Sequence, residues 1–392
     1  MKILHVLTVP ASLGFFRGQP AWFRAQGVEL SFVCAPGEAA ESFAAEQGCE
    51  VRSVAMERRI DVRADLRAVR QLRRIIREVR PDVVHSHTPK GGLLGTLAAA
   101  AAGARHRVYH IHGLPFVTAT GLQRLLLTTT ERVSCTAATE VLCVSEGVRA
   151  VARKAWLTHR RIRVLGKGSI NGVDAHGRFE PAAQAPLGVA LRALRGIPAG
   201  ALVFGFVGRL VGDKGVNELA RAWAIVRKQL PEAHLLVCGD YEPRDPVPPA
   251  TRSMLDTDDH VHMLGFVGAV EEAFAAMDVL VLPTYREGFP VVPLEAASMA
   301  LPVVSTLVPG AVDAVVDGRT GTLVPARAPE PLAQAMLAYA DDSLRQAHGQ
   351  AGRDRVLADY RQERVWRDLL DFYRSLSAAQ RGATAPQPAA AW

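Results

Sequence analysis

Residues 279–295 read VLVLPTYREGFPVVPLE, an apolar run followed by a turn and a helix-forming stretch. The run from Val279 to Pro283 has the length and the apolar side chains of a buried strand. Pro290 and Pro293 are tolerated after it, because the N–H groups of a first helical turn have no intrahelical partners. The segment therefore predicts a strand, a turn and the start of a helix.

Glu287 and Glu295 lie eight positions apart in this segment, one on the turn and one two turns further on. Free backbone N–H groups of the turn can face a phosphate there, helped by the positive end of the helix dipole. The two carboxylates can then bracket a ligand such as a nucleotide sugar. The simpler alternative is that Glu287 caps the helix and Glu295 is a solvated helix residue.

Short runs rich in Val, Ile and Leu alternate with helical patterns along the chain, which favours parallel sheets wrapped by helices. The first series of predicted strands is Ile3–Val9, Glu29–Ala35, Val51–Ala55, Asp82–His87, Arg107–His112 and Glu140–Ser145. A second series comprises Leu202–Val207, His234–Cys238, His262–Phe266, Val279–Pro283, Pro302–Thr306 and Thr322–Val324. The predicted fold class is α/β, with two Rossmann-like, doubly wound domains. Because ligands bind at the carboxyl ends of such strands, two facing domains would enclose a central cleft.

The predicted domain boundaries follow these two series. Residues 1–180 form an N-terminal domain, residues 181–200 a linker rich in Ala, Pro and Leu, and residues 201–359 a C-terminal domain. A helix over residues 360–377 is expected to pack back on the N-terminal domain. Residues 378–392 have no periodicity, which is typical of a disordered tail.

The composition is that of a folded protein, with 49% apolar and 22% charged residues. The five cysteines are odd in number and lie mostly in apolar runs, as reduced thiols do in the cytoplasm. No signal peptide is readable after Met1, and the Ala-rich stretch Leu93–Ala104 is too short to span a bilayer. The net charge of +7 favours anionic partners, but no zinc-finger, RNP or helix-turn-helix pattern supports nucleic acid. The sequence thus predicts a cytoplasmic protein.

Two cations leave the carboxyl end of one predicted strand. Residues 204–210 read FGFVGRL and residues 211–215 read VGDKG, so Arg209 and Lys214 share a short Gly-rich turn. There they can converge on a diphosphate and stabilise its growing charge as it departs, without a metal. The alternative is a solvated surface turn.

Together these motifs resemble those of the retaining glycosyltransferases of family 4, which have the two-domain GT-B fold. The resemblance rests on GRL and DKG around Arg209 and Lys214, and on EGFP with Glu295. Four further segments are similar to those of bacterial members that build capsule, exopolysaccharide or O-antigen units on a lipid carrier: HSHTPKGGLLG (85–95), YHIHGLP (109–115), CVSE (143–146) and GKGSINGVD (166–174). The resemblance therefore covers nearly the whole chain.

The resemblance implies roles for the matching residues of the second half. Arg209 and Lys214 would grip the donor diphosphate. Glu295 would accept hydrogen bonds from the nucleotide ribose, and Glu287 would lie near the sugar ring. The donor phosphates would meet the backbone where a helix begins around Phe289, which involves Gly288, Phe289, Pro290 and Val291.

In the first half, the resemblance implies that His112 contacts the donor sugar across the cleft. Gly14 would lie where the first loop passes close to donor and acceptor, a role that needs no side chain. This loop reads PASLGFFRGQ and lacks the doubled glycine that is common in relatives. Phe15, Phe16 and Arg17 are expected to narrow the site or to meet a large acceptor.

The implied reaction moves a hexose from a nucleotide-sugar donor, with UDP as the expected nucleotide, to an acceptor hydroxyl with retention of configuration and without cofactor or metal. Front-face attack needs no enzyme nucleophile, whereas double displacement through Glu287 is the rival mechanism. The expected acceptor is a saccharide linked to polyprenyl diphosphate, and a soluble small molecule is the alternative. A non-catalytic sugar-nucleotide sensor and a phosphorylase-like enzyme remain open, while the missing Gly-x-Gly-x-x-Gly argues against a dinucleotide enzyme.

Basic residues suggest how a lipid-linked acceptor could be reached. The predicted helix Leu66–Val79 carries a basic face, formed by Arg70, Arg73, Arg74 and Arg77, and the apolar helical stretch Leu122–Ala138 contains Arg124 and Arg132. These residues predict peripheral contact with an anionic membrane. The alternative is ordinary solvated charge.

Two further patterns resemble metal ligands. His85 and His87 point to the same face of a strand, but no Cys or third histidine lies near them in the sequence, so a packed or acceptor-lining role is predicted. Asp256-Thr257-Asp258 resembles the Asp-x-Asp of the other major glycosyltransferase fold and is predicted to be an exposed acidic turn. No metal site is expected.

Overall fold

The computed structural model describes residues 1–57, 61–243 and 245–383, and it forms two compact units. The first unit contains Met1–Val144, Val148–Asn171 and the chain from Glu363 onward. The second contains Ser145–Gly147 and Gly172–Gln362. Each unit is built on one parallel sheet with helices packed on it, which confirms the prediction of two Rossmann-like α/β domains.

The sheet of the first unit has seven strands: β1 (Lys2–Val6), β2 (Glu29–Cys34), β3 (Glu50–Ser53), β4 (Val83–His87), β5 (His106–Ile111), β6 (Glu140–Cys143) and β7 (Ile162–Arg163). Their order is β3-β2-β1-β4-β5-β6-β7, and all paired neighbours are parallel. The first six match predicted runs to within a few residues. The seventh is only two residues long and gives no pattern in the sequence.

The sheet of the second unit has six strands: β8 (Val203–Val207), β9 (His234–Cys238), β10 (Val261–Gly265), β11 (Val279–Leu282), β12 (Val303–Thr306) and β13 (Gly321–Val324). Their order is β10-β9-β8-β11-β12-β13. The direction of chain progression reverses between β8 and β11. Open α/β sheets bind ligands beyond the carboxyl ends of the strands at such a switch point, so the turns that follow β8 and β11 are the candidate ligand site of this unit.

Helices cover both sheets. The N-terminal half contributes α1 (Gln19–Ala25), α2 (Glu38–Gln47), α3 (Val62–Val79), α4 (Pro89–Ala102), α5 (Gly121–Ala137) and α6 (Glu146–Lys154). The second unit contributes α7 (Pro181–Leu194), α8 (Val216–Gln229), α9 (Pro249–Asp256), α10 (Val270–Ala275), α11 (Val292–Ser298), α12 (Ala311–Ala314), α13 (Pro329–Ala338) and α14 (Asp342–Asp359). The last helix is α15 (Gln362–Ala383). None of the described helices is both long enough and apolar enough to cross a membrane.

Two parts of the domain prediction differ from the structure. Residues 181–194 of the expected linker form α7, which belongs to the second unit and packs against α10. Ala and Leu favour a helix there, and Pro181 occupies its first turn, where a proline is tolerated. The tail was predicted to be disordered from residue 378, but α15 continues through Ala383, and residues 384–392 lie outside the described part of the chain.

The last helix completes the core of the first unit. Trp366, Leu370 and Tyr373 of α15 are buried in one apolar cluster with Phe23 and Phe32. Burying such side chains stabilises a fold by about 1.5–3 kcal/mol each. The C-terminal helix is therefore an integral part of the first unit.

Candidate functional site

The turns that follow β8 and β11 are in direct contact at the switch point of the second sheet. Gly215 has φ +70°, and a Cβ added to it would lie 1.9 Å from the carbonyl oxygen of Pro283. Tyr285 donates its backbone N–H to the carbonyl of Asp213 at 2.8 Å, and Arg286 pairs with the Asp213 carboxylate at 2.6 Å. Glycine at position 215 thus permits the close approach, because any side chain would separate the two turns.

Lys214 and Glu287 meet across this contact. Lys214 Nζ lies 2.5 Å from Glu287 Oε1, and the side chains are only 20% and 12% exposed. An ion pair that is largely shielded from water interacts more strongly than a pair on an open surface. The structure therefore brings together a predicted cation and a predicted carboxylate that are 73 residues apart in the chain.

Arg209 faces the neighbouring turn on the other side of β8. Its Nη1 donates to Glu242 Oε2 at 2.9 Å, and its side chain is 55% exposed. Glu242 follows β9, which pairs with β8, but the sequence analysis did not single it out because the strand order was not known. The turns after β9, β8 and β11 thus carry alternating acidic and basic groups along one edge of the sheet.

The turn between the two predicted glutamates differs in detail from the prediction. Helix α11 begins at Val292 rather than around Phe289, and it is only seven residues long. The Phe289 side chain is buried, with its ring 5.6 Å from that of Tyr360, and Pro290 is buried as well. Gly288 and Val291 are partly exposed. Phe289 and Pro290 can therefore offer a ligand their backbone, since their side chains belong to the interior.

Glu295 lies in the first turn of α11 and is half-buried. Burial raises the pKa of this carboxyl to about 7, while the charge of Arg178 lowers it and that of Glu271 raises it further. Arg178 itself pairs with Glu271 at 2.6 Å. Glu295 is therefore not the solvated helix residue of the simpler alternative, and its charge changes near neutral pH.

In the first unit, His112 follows β5 and ends a chain of hydrogen-bonded imidazoles. Its Nε2 lies 2.9 Å from Nδ1 of His87, and Nε2 of His87 lies 2.9 Å from Nδ1 of His5. Burial lowers the pKa of His112 and that of His5 to about 3. These rings are neutral at physiological pH. The hydrogen bonds through His87 to His5 fix the orientation of the His112 ring.

The prediction that no third histidine lies near His85 and His87 is wrong. Parallel pairing places His5 beside His85 and His110 beside His87, and His112 follows on the same strand end. Two groups of three histidines have ring nitrogens that all lie within 4.8 Å of one another. This spacing is short enough for three nitrogens to bind one transition-metal ion. The groups are His5, His85 and His87, and His87, His110 and His112. The 2.9 Å hydrogen bonds already occupy both nitrogens of the shared His87, which a metal would have to displace. The repeated His-x-His on two adjacent predicted strands was the signal that could have revealed this cluster.

The first loop is a 3₁₀ helix, Pro10–Phe16. A Cβ at Gly14 would have no atom within 4 Å, so the space beside this residue is open. Phe16 is buried, with its ring 4.9 Å from that of His5, so the expectation that it narrows a site is wrong. Phe15 is 42% exposed and its ring lies 6.5 Å from His112, whereas Arg17 faces Glu46 at 3.8 Å.

The acidic triplet Asp256-Thr257-Asp258 makes hydrogen bonds within the second unit. Asp256 accepts hydrogen bonds from Tyr241 and Arg252, at 3.0 and 3.1 Å. Asp258 accepts from the indole N–H of Trp223 at 2.9 Å. The predicted exposed acidic turn is thus present in part: Asp256 ends α9 and is exposed with Thr257, whereas Asp258 is partly buried.

Comparison with known proteins agrees with this geometry. Residues 16–168 match the family model described as a glycosyl transferase 4-like domain, and residues 201–342 match the model described as glycosyl transferases group 1. The capsular polysaccharide biosynthesis glycosyltransferase CapM of Staphylococcus aureus is 29% identical over 383 residues, which cover 97% of this chain and 99% of that protein. The UDP-Gal:alpha-D-GlcNAc-diphosphoundecaprenol alpha-1,3-galactosyltransferase of Escherichia coli is 27% identical over 257 residues, or 64% of this chain and 65% of that protein.

Among solved structures, HepE from Anabaena in complex with UDP-glucose superimposes with a TM-score of 0.79 at 20% sequence identity. The similarity covers 96% of this chain and 100% of that one. At this level of identity the likeness concerns the fold, and it agrees with the predicted GT-B architecture.

Proposed function

Since the chain belongs to family 4 of the glycosyltransferases, with the GT-B fold, we propose that it takes its sugar from a nucleotide-diphosphate donor and that the nucleotide is UDP. The observation that carries the proposal is the contact of Lys214 with Glu287 at the switch point of the second sheet. Parallel α/β sheets bind their ligands at this position. UDP is supported by the names of two similar proteins, the galactosyltransferase of Escherichia coli and HepE in complex with UDP-glucose.

Arg209 and Lys214 are the cations proposed to hold the donor diphosphate. Both leave the carboxyl end of β8, and both are paired with carboxylates, Glu242 and Glu287. A diphosphate would take over these cations because it carries more charge than a carboxylate and accepts more hydrogen bonds. As the bond between sugar and diphosphate breaks, the fixed cations would stabilise the growing negative charge without a metal.

The proposed stereochemical course is retention by front-face attack. The acceptor oxygen forms a bond to the anomeric carbon while the bond from that carbon to the diphosphate breaks, and a phosphate oxygen takes the acceptor proton. Double displacement through Glu287 is the rival course, because a diphosphate that takes over Lys214 releases the Glu287 carboxylate that Lys214 holds at 2.5 Å.

Two further donor contacts are proposed, one in each unit. Glu295 would accept hydrogen bonds from the ribose hydroxyls in its ionised form. It lies in the first turn of α11, eight residues after Glu287. In the first unit, His112 would contact the donor sugar through the ring edge that is not bonded to His87. The open space beside Gly14 supports a ligand passing there.

The proposed acceptor is a saccharide linked to polyprenyl diphosphate. Both curated relatives support it by name, one as a capsular polysaccharide enzyme and the other as an enzyme of a diphosphoundecaprenol-linked sugar. Such an acceptor is confined to a membrane surface, so peripheral contact with anionic lipid is part of the proposal. Helix α3 supports this contact with a groove of about 270 Å³ lined by four arginines and one glutamate: Arg70, Arg73, Arg74, Arg77 and Glu78.

Thermal shift and transfer assays test the proposal together. UDP should raise the melting temperature of the wild-type protein more than GDP or ADP does, because a ligand that binds the folded state stabilises it. Lys214→Ala should lose most of this shift, while Arg221→Ala, which removes an exposed cation of α8, should keep it. A panel of UDP-sugars with a polyprenyl-diphosphate-linked acceptor then reports transfer. Stabilisation by UDP without any transfer would identify a sensor, and an equal shift in both variants would remove the proposed diphosphate site.

A further inference from the structure

Three histidines of the first unit, here called the histidine trio, meet at the ends of β4 and β5. His87 ends β4, His110 lies opposite it on β5, and His112 follows β5 directly. One ring nitrogen of each lies within 4.8 Å of the others, and Nδ1 of His87 is 2.9 Å from Nε2 of His112. Two nitrogens bound to one tetrahedral zinc ion lie about 3.3 Å apart, since each Zn–N bond measures about 2.0–2.1 Å. The trio is therefore close to the spacing that a metal ion requires.

The orientation of the rings distinguishes the trio from the neighbouring group of His5, His85 and His87. In the trio, the ring of His112 is inclined at 77° to that of His87 and at 60° to that of His110. The lone pair of an imidazole lies in the ring plane, so inclined rings can direct their lone pairs at one point. His85 and His87 are instead stacked, with ring centroids 4.1 Å apart and planes at 28°. Stacked rings direct their lone pairs side by side, so the trio is the group that suits convergent coordination.

Hydrogen bonds hold two rings of the trio from outside. Nε2 of His87 lies 2.9 Å from Nδ1 of His5, and the His110 ring is hydrogen-bonded to the backbone of Cys143. Imidazoles that bind metals use their second nitrogen in this way, which fixes the tautomer and directs the first nitrogen at the ion. A proton carried by His87 can move to the nitrogen that faces His5, which frees Nδ1 for an ion.

The trio is accessible on the side of His112. This histidine is only partly buried, and the ring of the exposed Phe15 lies 6.5 Å from it. A Cβ at Gly14, in the same loop as Phe15, would have no atom within 4 Å. Three histidine ligands leave the fourth position of a tetrahedral ion to water, as in catalytic zinc sites. An ion can therefore enter and leave here without unfolding the unit.

We propose that the histidine trio binds a divalent transition-metal ion such as Zn²⁺, and that the bound ion inhibits sugar transfer. Imidazole nitrogen suits zinc, copper and nickel, whereas magnesium and calcium prefer oxygen ligands. The inhibition rests on the proposed function, in which His112 contacts the donor sugar. The sugar gains positive charge as its bond to the diphosphate breaks, so a dication held by His112 opposes that charge. The ion is thus an inhibitor of the reaction and takes no part in it.

Titration with Co²⁺ tests the site without donor or acceptor. Tetrahedral coordination gives Co²⁺ intense visible absorption bands, which should appear with the wild-type protein and disappear when Zn²⁺ displaces the cobalt. His110→Asn removes a ligand and should weaken Zn²⁺ binding by at least about a hundredfold, because losing an outer partner alone costs about 10–100-fold. His112→Gln, at a partly exposed position, should have the same effect. The matched control is His85→Asn, a buried histidine of β4 outside the trio, which should bind Zn²⁺ like the wild type.

Transfer assays test the inhibition separately. Zn²⁺ should slow the wild-type enzyme and EDTA should restore it, whereas His110→Asn, compared with its own rate in EDTA, should resist Zn²⁺. Equal Zn²⁺ affinity in the wild type and both trio variants would overturn the site. Loss of binding in His85→Asn alone would also overturn it, because the ion would then lie on the neighbouring group. Zn²⁺ that binds the trio without slowing transfer would overturn the inhibition. A protein without any transfer activity would still give the Co²⁺ bands, so failure of the proposed function is distinguishable from failure of the site.

Discussion

Lys214, on the turn after β8, and Glu287, on the turn after β11, form an ion pair of 2.5 Å at the switch point of the second sheet. Their side chains are mostly shielded from water, so neither charge is satisfied by solvent alone. A bound diphosphate would therefore change the partner of Lys214 rather than recruit a free cation. The affinity for the donor would then depend on how much more strongly its phosphates bind Lys214 than the Glu287 carboxylate does.

Lys214→Ala and Glu287→Ala should each reduce kcat/KM for transfer by about 10²–10³-fold, because a preorganised charge at the leaving group or the sugar is lost. Steady-state kinetics with the preferred UDP-sugar measures this loss, and circular dichroism checks the fold. Arg221→Ala is the control, since its exposed partner is Glu330 on α13. Near-normal turnover in both site variants would show that the chemistry takes place elsewhere.

Glu242→Gln should lower the KM for the donor by about two- to fivefold, because the exposed pair that it forms with Arg209 is weak and competes with the diphosphate. The kcat should change little, since glutamine preserves the shape of the turn. Arg209→Ala should have the opposite effect on KM. A higher KM in Glu242→Gln would mean that Glu242 contacts the donor itself.

The affinity for UDP should fall as the pH decreases from 8 to 6. Burial raises the pKa of Glu295 to about 7, so the carboxylate proposed to accept from the ribose becomes protonated within this range. The loss should approach about tenfold per pH unit below the pKa. Titration calorimetry of the wild type and Glu295→Gln measures it, and the variant should give a shallower profile, set by protonation of the UDP phosphate alone.

Glu295 also makes the stability of the fold depend on pH, but in the opposite direction: stability falls as the pH rises. Because the folded-state pKa of Glu295 lies above the unfolded value of 4.5, its contribution is fully present at low pH and is lost as the pH rises through about 7. Glu295→Gln should therefore melt at a higher temperature than the wild type at pH 8. An unchanged or lower melting temperature at pH 8 would argue against a desolvated carboxylate with a raised pKa.

Acid should destabilise the first unit through its buried histidines. His5 and His112 have folded-state pKa values of about 3, so between pH 6.5 and 3 the unfolded state binds more protons. The free energy of unfolding should fall by about 1.4 kcal/mol per pH unit for each such histidine. Urea titrations at several pH values test this, and His5→Phe should have a shallower slope. His159→Gln, which alters an exposed ring, should keep the wild-type slope.

The strands and the turns that follow them are predictable because they depend on local patterns. The apolar runs VFGFV and VLVL mark β8 and β11, and the Gly-rich turn with Lys214 and the turn with Glu287 follow them directly. Their proximity follows from the rule that parallel sheets bind ligands at the carboxyl ends of their strands. The actual ion pair was not predicted, because it depends on which strand lies beside β8.

The residues that were missed depend on tertiary neighbours. Glu242 reaches Arg209 only because β9 pairs with β8, and His5 joins His87 only because β1 pairs with β4. The sequence of α7 predicts a linker because it is rich in Ala, Pro and Leu and carries no strand signal, and its packing against α10 depends on tertiary structure. Burial of Phe16 likewise could not be inferred from a loop that contains three bulky side chains in a row.

The separation of Lys214 and Glu287 along the chain has a consequence for biosynthesis. Their turns can meet only after 73 residues have been made and β11 has been inserted beside β8. Such a non-local contact forms late, since loop-closure entropy has to be overcome before it contributes. The proposed diphosphate clamp is therefore absent until β11 has been made and paired, and a UDP-sugar donor would stabilise only molecules whose second sheet is complete.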